Sequence, residues 1–265
     1  MYCLSAVPEP TKEDLRFIHW SEKQGIVAPL LTCLTTSDSV GGRGLFASAP
    51  IKPGDVLASI PMELVIGSND PEFWAADIAS QVRGVLRHPM DPRRVWVESW
   101  SGGGCSSWDD IENLDCFTSI DKELKDTLKS RLERRCSVWR EGARKFGLDV
   151  ENDFDLYSLI SSRACYLGPT WSRTGILIGV VPLFDMLNHS SCGGNVKLEA
   201  AETTFARLPT HAPRPLDLRN QDMLLIAGRT IETGKELLTE YIDETNGEEK
   251  SSDISASKII QWGFI

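Results

Sequence analysis

The chain has 265 residues, 41% hydrophobic and 25% charged, which is typical of a globular protein with one large or two small domains. Its 38 acidic and 28 basic side chains give a formal net charge of −10, which argues against nucleic-acid binding and favours a neutral or basic partner. The most apolar stretch, 176–184, is too short to cross a bilayer, and the first twenty residues resemble neither a signal nor a transit peptide, so we expect no membrane association and a cytoplasmic or nuclear location.

The first part of the chain predicts one helix followed by short strands. Thr11 is the expected N-cap of a helix that ends at Gly25, with acidic Glu13 and Asp14 in its first turn. Between Leu30 and Ile66, β-branched and aliphatic runs alternate with glycine and proline turns, a pattern typical of short antiparallel strands.

The middle of the chain predicts helices and the end predicts strands again. Helical spacing of apolar residues covers 73–86, 122–146 and 153–166. Strands are predicted at 176–181, 195–199, 223–227 and 236–241, with turns at CGGN and ETGK. Two β-rich ends therefore flank a helical middle, and we expect them to pair across it.

The cysteines indicate a reducing compartment. None of the seven cysteines forms a CxxC pair. They are widely separated, at positions 3, 33, 105, 116, 136, 165 and 192. We therefore expect neither a disulfide framework nor a metal site.

Three polar motifs interrupt the apolar pattern. GGRGLFAS (41–48) has glycines that allow a close approach of backbone to ligand, although alone it predicts only a hairpin, and it fits neither phosphate-loop nor dinucleotide patterns. VVPLFDMLNHSS (180–191) ends an apolar run on three polar residues that could equally cap, turn or pack, and no nucleophile elbow accompanies them. GKELLTEY (234–241) places Tyr241 at a strand end, where a tyrosine by itself is usually a packed aromatic.

Taken in order, these motifs resemble the SET-domain protein methyltransferases, in the branch that contains the Rubisco large-subunit methyltransferase. The resembling segments are GGRGLFA (41–47), IKPGDVL (51–57), SSRA (161–164), PLFDMLNHS (182–190), TGKELLTEY (233–241) and WGFI (262–265). The resemblance implies an α+β protein with a β-rich SET fold of short antiparallel strands and a helical insertion between its two halves. It divides the chain into a lead-in (1–29), a first SET half (30–68), the insertion (69–160) and a second SET half (161–265).

The resemblance also implies a cofactor, S-adenosyl-L-methionine, and a role for each matching residue. The implied cofactor-binding residues are Gly42, Arg43, Gly44, Asn188, His189 and Phe264. The implied catalytic residue is Tyr241, whose hydroxyl orients the accepting nitrogen. Substrate-channel positions are matched by Arg163, Cys165, Asp185 and Trp262. No metal is expected.

The expected activity is transfer of a methyl group to a lysine amine of a protein or peptide that is basic or neutral around the target. Where many relatives have tyrosine and another aromatic residue, this chain has Trp262 and Cys165, so a histidine acceptor and the number of methyl groups stay open. A non-catalytic interaction module is the other alternative. The chain ends at Ile265, where most relatives continue into a helical substrate-binding domain, so we expect that domain to be absent here and the sequence to be either a minimal form or a fragment.

Overall fold

The computed structural model describes residues 11–28, 30–37, 42–100, 122–167, 176, 178–190, 193–202, 204 and 222–239. The described residues divide into two compact units. One contains those of Met1–Val65 and Val181–Ile242, and the other contains those of Ile66–Val180. The first unit therefore joins segments from both β-rich parts of the sequence. The boundaries inferred from sequence at residues 68 and 160 stay predictions.

In chain order, the helices are α1 (Lys12–Lys23), α2 (Trp74–Arg87), α3 (Arg94–Glu98), α4 (Lys122–Lys145) and α5 (Phe154–Ser161). The strands are β1 (Leu31–Ser37), β2 (Gly42–Ala47), β3 (Val56–Ile60), β4 (Ile66–Ser68), β5 (Cys165–Tyr166), β6 (Ile178–Val180), β7 (Asn188–His189), β8 (Val196–Ala200), β9 (Met223–Ala227) and β10 (Glu236–Thr239). Within the described residues, no helix combines the length and the apolar character that a membrane crossing requires.

The first helix begins where the sequence places it. Thr11 and Asp14 form a reciprocal capping box, in which the Asp14 N–H donates to Thr11 Oγ1 at 3.1 Å and the Thr11 N–H donates to Asp14 Oδ2 at 2.9 Å. Phe17 and Trp20 form its buried face. The helix ends at Lys23, and Gly25 follows it with a φ of 80°, a conformation in which glycine carries no steric penalty.

Two sheets build the first unit. The strand orders are β1-β2-β10-β7 and β3-β9-β8, and every pair in them is antiparallel except β10 with β7, which is parallel. Strands before the helical middle therefore pair with strands after it, namely β2 with β10 and β3 with β9. This confirms the pairing predicted from the sequence.

The core of the first unit lies against β9. This central strand, paired with β3 and β8, is buried along its whole length, so both of its faces are covered. Leu57, Ala58 and Ile60 of β3 are fully buried beside it. The sheet that carries the polar motifs contributes buried Leu45 and Leu237, which are paired in register. Both sheets therefore contribute buried apolar side chains to the core.

The second unit contains α2 to α5 and a small sheet of order β4-β6-β5. Helix α2 packs against β4, α3, α4 and α5. Its Arg83 donates to Asp153 Oδ2 at 2.6 Å, and the same oxygen accepts the Asp149 N–H at 2.7 Å. Trp96 and Trp139 are buried in this unit.

One predicted helix is too long at its C-terminus. The sequence predicts helix over 153–166, whereas α5 ends at Ser161 and Cys165 and Tyr166 form β5. Cys165 pairs with Gly179 of β6, so a strand pair formed at a distance in sequence overrides the local helical spacing. The short helix α3 was not predicted.

Candidate functional site

Strand β10 brings two of the polar motifs together. It lies between β2, which carries the glycine motif, and β7, which carries the Asn-His pair. In register, Leu237 pairs with Leu45, and Leu238 pairs with Asn188. Three segments that are distant in sequence are therefore adjacent strands of one sheet.

The backbones of Gly42, Arg43 and His189 occupy defined register positions in this sheet. Gly42 and Arg43 pair with Ser37 and Thr36 of β1, and His189 pairs with Thr239. Ser190, the next residue, donates its N–H to the Thr239 carbonyl at 2.9 Å. The C-terminal end of β10 is thereby bonded to the chain that follows the Asn-His pair.

Asn188 and Glu236, on the neighbouring strands β7 and β10, are joined by a short side-chain hydrogen bond. Asn188 Nδ2 donates to Glu236 Oε1 at 2.6 Å, and both residues are half-buried. An ionised carboxylate only accepts hydrogen bonds, so the amide must turn its NH₂ group toward Glu236. The Asn188 carbonyl oxygen then points in a different direction.

Gly44 makes room for this pair. A Cβ at position 44 would overlap Glu236 Oε1 and lie 3.1 Å from Asn188 Nδ2. The absent side chain of Gly44 therefore lets a carboxylate and an amide lie directly against the backbone of β2. The resemblance implied a role for this glycine toward a ligand, and the structure adds that it accommodates two neighbouring side chains.

Asn195 attaches the same strand from another direction. It is buried, its Oδ1 accepts the Leu238 N–H at 2.7 Å, and its Nδ2 donates to the Glu236 carbonyl at 2.9 Å. Its own N–H donates to the Leu238 carbonyl at 2.8 Å, and its carbonyl accepts the Gly228 N–H at 2.8 Å. All four of its hydrogen-bonding groups are used, and three of them hold β10.

Asp185 follows a strained turn in the first unit. Leu183 is 5% exposed and has φ 68° and ψ −44°, a backbone conformation that is rare for a non-glycine residue and costs about 1–3 kcal/mol. The Asp185 N–H donates to the Val181 carbonyl at 2.9 Å, across this turn. The strained turn thus sets the direction in which the chain enters the Asp185 to Asn188 segment.

Arg163 and Cys165 lie in the second unit. Arg163 Nη1 donates to the Leu159 carbonyl at 3.1 Å and to Ser162 Oγ at 2.9 Å, and its guanidinium lies 5.7 Å from the centre of the Trp100 ring. The half-buried Cys165 thiol donates to the Gly179 carbonyl at 3.5 Å. Both side chains are therefore placed by contacts within their own unit.

Several predicted site residues cannot be placed. Tyr241, Trp262 and Phe264 lie outside the described residues, as do the side chains of Arg43 and His189. Their roles stay predictions. Among the residues that the structure does describe, no group of three His, Cys, Asp or Glu side chains could hold a metal ion.

Sequence reasoning missed Glu236 and Asn195. Glu236 opens a strand, where a charged side chain usually faces solvent, and Asn195 follows CGG, where it was interpreted as a turn residue. One signal was available for Glu236: position 236 precedes a run of two leucines, so the carboxylate sits at the border of a buried segment. Asn195 offered no comparable signal.

Comparison with known proteins gives a family match and structural matches. The family model of the SET domain matches residues 42–242, more than half of the chain. A comparison with curated protein sequences finds no match.

Among solved structures, the chain is similar to the SET domain of LSMT bound to lysine and AdoHcy, with a TM-score of 0.63 and 14% identity over 97% of this chain and 58% of that chain. It is also similar to Rubisco LSMT bound to AdoMet, with a TM-score of 0.59 and 15% identity over 96% and 57%. At these identities the likeness concerns the fold. The chain spans less than two thirds of the length of these proteins.

Proposed function

The chain belongs to the SET-domain family, and on that premise we propose that it is an S-adenosylmethionine-dependent protein N-methyltransferase whose acceptor is a lysine side chain. The family and the α+β SET fold expected from the sequence motifs are confirmed. The observation that carries the proposal is the contact between Asn188 and Glu236 beside Gly44. Asn188 and Gly44, which belong to the two motifs that the resemblance assigns to the cofactor, lie side by side there, and Glu236 lies against both.

The residues present fit this cofactor. S-adenosylmethionine carries a sulfonium and an ammonium group, and the Glu236 carboxylate supplies negative charge beside Asn188, which favours a cationic ligand. The residues proposed to hold it are Gly42, Arg43, Gly44, Asn188, His189 and Phe264. When bound, the cofactor supplies a methyl group on a sulfonium that is transferred by in-line displacement.

The protein's own contribution is alignment and exclusion of water. A lysine ammonium has no lone pair with which to attack, and an apolar channel lowers its pKa by penalising the charged form. The Tyr241 hydroxyl is proposed to orient the neutral amine. Tyr241 follows β10 by two residues, and the end of β10 is held by Asn195 and Ser190. The end of β10, from which the chain continues to Tyr241, is therefore fixed in the sheet, and this supports the proposed role.

The direct test incubates the purified chain with a cell lysate and S-adenosylmethionine labelled on its methyl group, and then identifies the labelled residue by mass spectrometry. We expect label on lysine in one or a few proteins. The matched control is the Tyr241→Phe variant at the same concentration. Absence of both cofactor binding and label transfer with the wild-type chain would contradict the proposal.

A histidine acceptor is the second candidate. It is favoured by Cys165, a half-buried thiol in β5 where many relatives carry an aromatic residue. The same mass spectra distinguish the two, because the labelled side chain is identified directly. Cofactor binding without any transfer would instead support a non-catalytic interaction module.

The partner is proposed to be a protein or peptide with basic or neutral surroundings at the target, rather than a nucleic acid or a membrane. The net charge of −10 supports this choice. A cytoplasmic or nuclear location is also proposed, and imaging of the tagged chain in cells tests it.

A further inference from the structure

We propose that Glu236 is a positioning residue that fixes the orientation of the Asn188 amide for cofactor binding. The inference deepens the proposed function and rests on it, because the ligand in question is S-adenosylmethionine. Glu236 lies within the resembling segment TGKELLTEY, but the resemblance assigns it no role, and the expected cofactor set does not include it. Its role follows from where the structure places its carboxylate.

The first step is the choice between two amide orientations. A free asparagine side chain can present either its NH₂ or its carbonyl to a ligand, since a half-turn exchanges them. With Glu236 Oε1 at 2.6 Å from Asn188 Nδ2, only the NH₂ group can face the carboxylate. The carbonyl is thereby directed elsewhere, as a hydrogen-bond acceptor. Such an acceptor suits a donor group, and the ammonium of the cofactor is one.

The second step is that the carboxylate itself is held in place. The Glu236 carbonyl accepts a hydrogen bond from Asn195 Nδ2 at 2.9 Å, and Glu236 pairs with Phe46 across β2. Its side chain lies against the backbone of Gly44, where any Cβ would overlap it. Asn195 therefore holds the backbone of Glu236, while its carboxylate lies beside Gly44 of β2. The Asn188 amide is oriented by protein contacts rather than only by the ligand.

The third step concerns why orientation matters for affinity. A side chain that is already in its binding conformation loses less entropy when the ligand binds. Without the carboxylate, the Asn188 NH₂ group loses a charged partner, and the orientation of the amide is less strongly fixed before the ligand binds. We expect the loss of Glu236 to weaken S-adenosylmethionine binding by roughly tenfold.

The test is a double-mutant cycle on the dissociation constant of S-adenosylmethionine, measured by titration calorimetry with the full chain. The variants are Glu236→Ala, Asn188→Ala and the double variant. If Glu236 acts through Asn188, the double variant binds no more weakly than Asn188→Ala alone. A purely structural role for Glu236 would weaken binding by the same factor in both backgrounds, and this additivity would overturn the inference.

Two further variants keep the test decisive if Glu236→Ala fails to fold. Glu236→Gln retains an acceptor oxygen toward Asn188, and we expect binding within about threefold of wild type. Gly44→Ala leaves Glu236 in the sequence but displaces its carboxylate, and we expect a loss similar to that of Glu236→Ala. Unchanged affinity in Gly44→Ala, or a Glu236→Gln variant as weak as Glu236→Ala, would contradict the inference.

The matched control is Glu232→Ala, which removes an exposed carboxylate four residues before Glu236. It should leave the affinity unchanged, and a loss like that of Glu236→Ala would mean that general charge, not orientation, is responsible. The outcomes also separate the two proposals. A wild-type chain that does not bind the cofactor overturns the proposed function and this inference with it. A wild-type chain that binds, with an additive cycle, overturns only the role of Glu236.

Discussion

Asn195 and Leu238 exchange two hydrogen bonds, in which the Leu238 N–H donates to Asn195 Oδ1 at 2.7 Å and the Asn195 N–H donates to the Leu238 carbonyl at 2.8 Å. One of the two is made by a side chain, so Asn195 replaces part of a neighbouring strand along β10. The strand that it supports carries Glu236 and pairs with Asn188. The geometry of the candidate site therefore depends on a residue outside the motifs that first indicated the family.

Replacing Asn195 with alanine should destabilise the protein. The change leaves the Leu238 N–H and the Glu236 carbonyl without their side-chain partners in a part-buried setting, at a cost of about 2 kcal/mol. Urea unfolding followed by circular dichroism measures this change. The matched control is Asn69→Ala, because Asn69 is exposed, and it should change the free energy of unfolding by less than about 0.5 kcal/mol. Equal effects of the two variants would contradict the role assigned to Asn195.

A glycine-to-alanine substitution is expected to have opposite effects on stability at two helical positions, Gly84 and Gly142. A Cβ on Gly142 of α4 would lie 2.8 Å from the Cβ of Ala76 and 3.1 Å from Cδ1 of Phe73, both in or beside α2. A Cβ on Gly84, which is exposed in the interior of α2, would meet nothing within 4 Å. Position 142 therefore sets how closely α2 and α4 approach, and position 84 does not.

Gly84→Ala should stabilise the protein by about 0.5–1 kcal/mol, because alanine is the better helix former. Gly142→Ala gains the same helical preference but forces two packed helices apart, which costs about 1–3 kcal/mol, so the net effect should be destabilising. Thermal unfolding of both variants beside wild type tests the pair. A stabilised Gly142→Ala would show that α2 and α4 are not in close contact there.

Acid should remove the contribution that the Asp70–Lys145 ion pair makes to the free energy of unfolding. A hydrogen bond from Lys145 Nζ at 2.8 Å, followed by the Phe73 N–H, lowers the pKa of Asp70 below its ordinary value of 3.8. A lowered folded-state pKa means that the stabilisation is present above pH 3.8 and is lost as the pH falls through the folded-state pKa. Because Lys145 is half-exposed, we expect only about 0.5 kcal/mol.

The measurement is the free energy of unfolding of wild type and Asp70→Asn between pH 7 and pH 2.5. The asparagine keeps an oxygen for the Phe73 N–H but loses the charged partner of Lys145. The difference in the free energy of unfolding between the two proteins should be constant near neutral pH and should decrease toward zero below pH 3.8. Asp126→Asn, at an exposed position of α4, serves as control. A gap for Asp70→Asn that does not change with pH would exclude the ionic contribution.

The sequence predicted elements whose signals are local. The cap at Thr11, the length of α4 and the bounds of β9 all follow from side chains within one or two turns or within one strand. The two-residue strand β5 was mistaken for the end of a helix, because only its pairing with Gly179 makes it a strand. Local signals are thus sufficient for long elements and insufficient for short ones.

The sequence motifs proposed residues for the candidate site, but they did not predict the strand pairing that brings those residues together. Asn188 and Glu236 are 48 residues apart, and their contact requires the parallel pairing of β7 with β10. No period in the sequence encodes that register. The strained conformation of Leu183 is likewise imposed by the surrounding fold, since leucine has no preference for a positive φ. The sequence motifs therefore propose residues for the candidate site, whose roles stay predictions, and they do not show how each residue is held.

The proposed catalytic role of Tyr241 predicts a separation of turnover from binding. If its hydroxyl orients the accepting nitrogen in the transition state, Tyr241→Phe removes that group and keeps the ring. Turnover on the identified substrate should fall by roughly 100-fold, while the dissociation constant of S-adenosylmethionine changes by less than about twofold. Glu232→Ala serves as a control for both measurements. Full turnover in Tyr241→Phe would contradict the catalytic assignment and favour a different mechanism.

Trp262 is proposed to shape the acceptor channel rather than to bind the cofactor. Trp262→Tyr introduces the residue that many relatives carry, and channel shape decides which nitrogen can align with the methyl group. The variant should therefore change the ratio of mono-, di- and trimethylated products, or the preference between lysine and histidine peptides, more than it changes the total rate. Mass spectrometry of peptide products from wild type and variant measures both quantities. If the total rate falls while the product ratio stays constant, Trp262 supports the fold or the cofactor and does not line the channel.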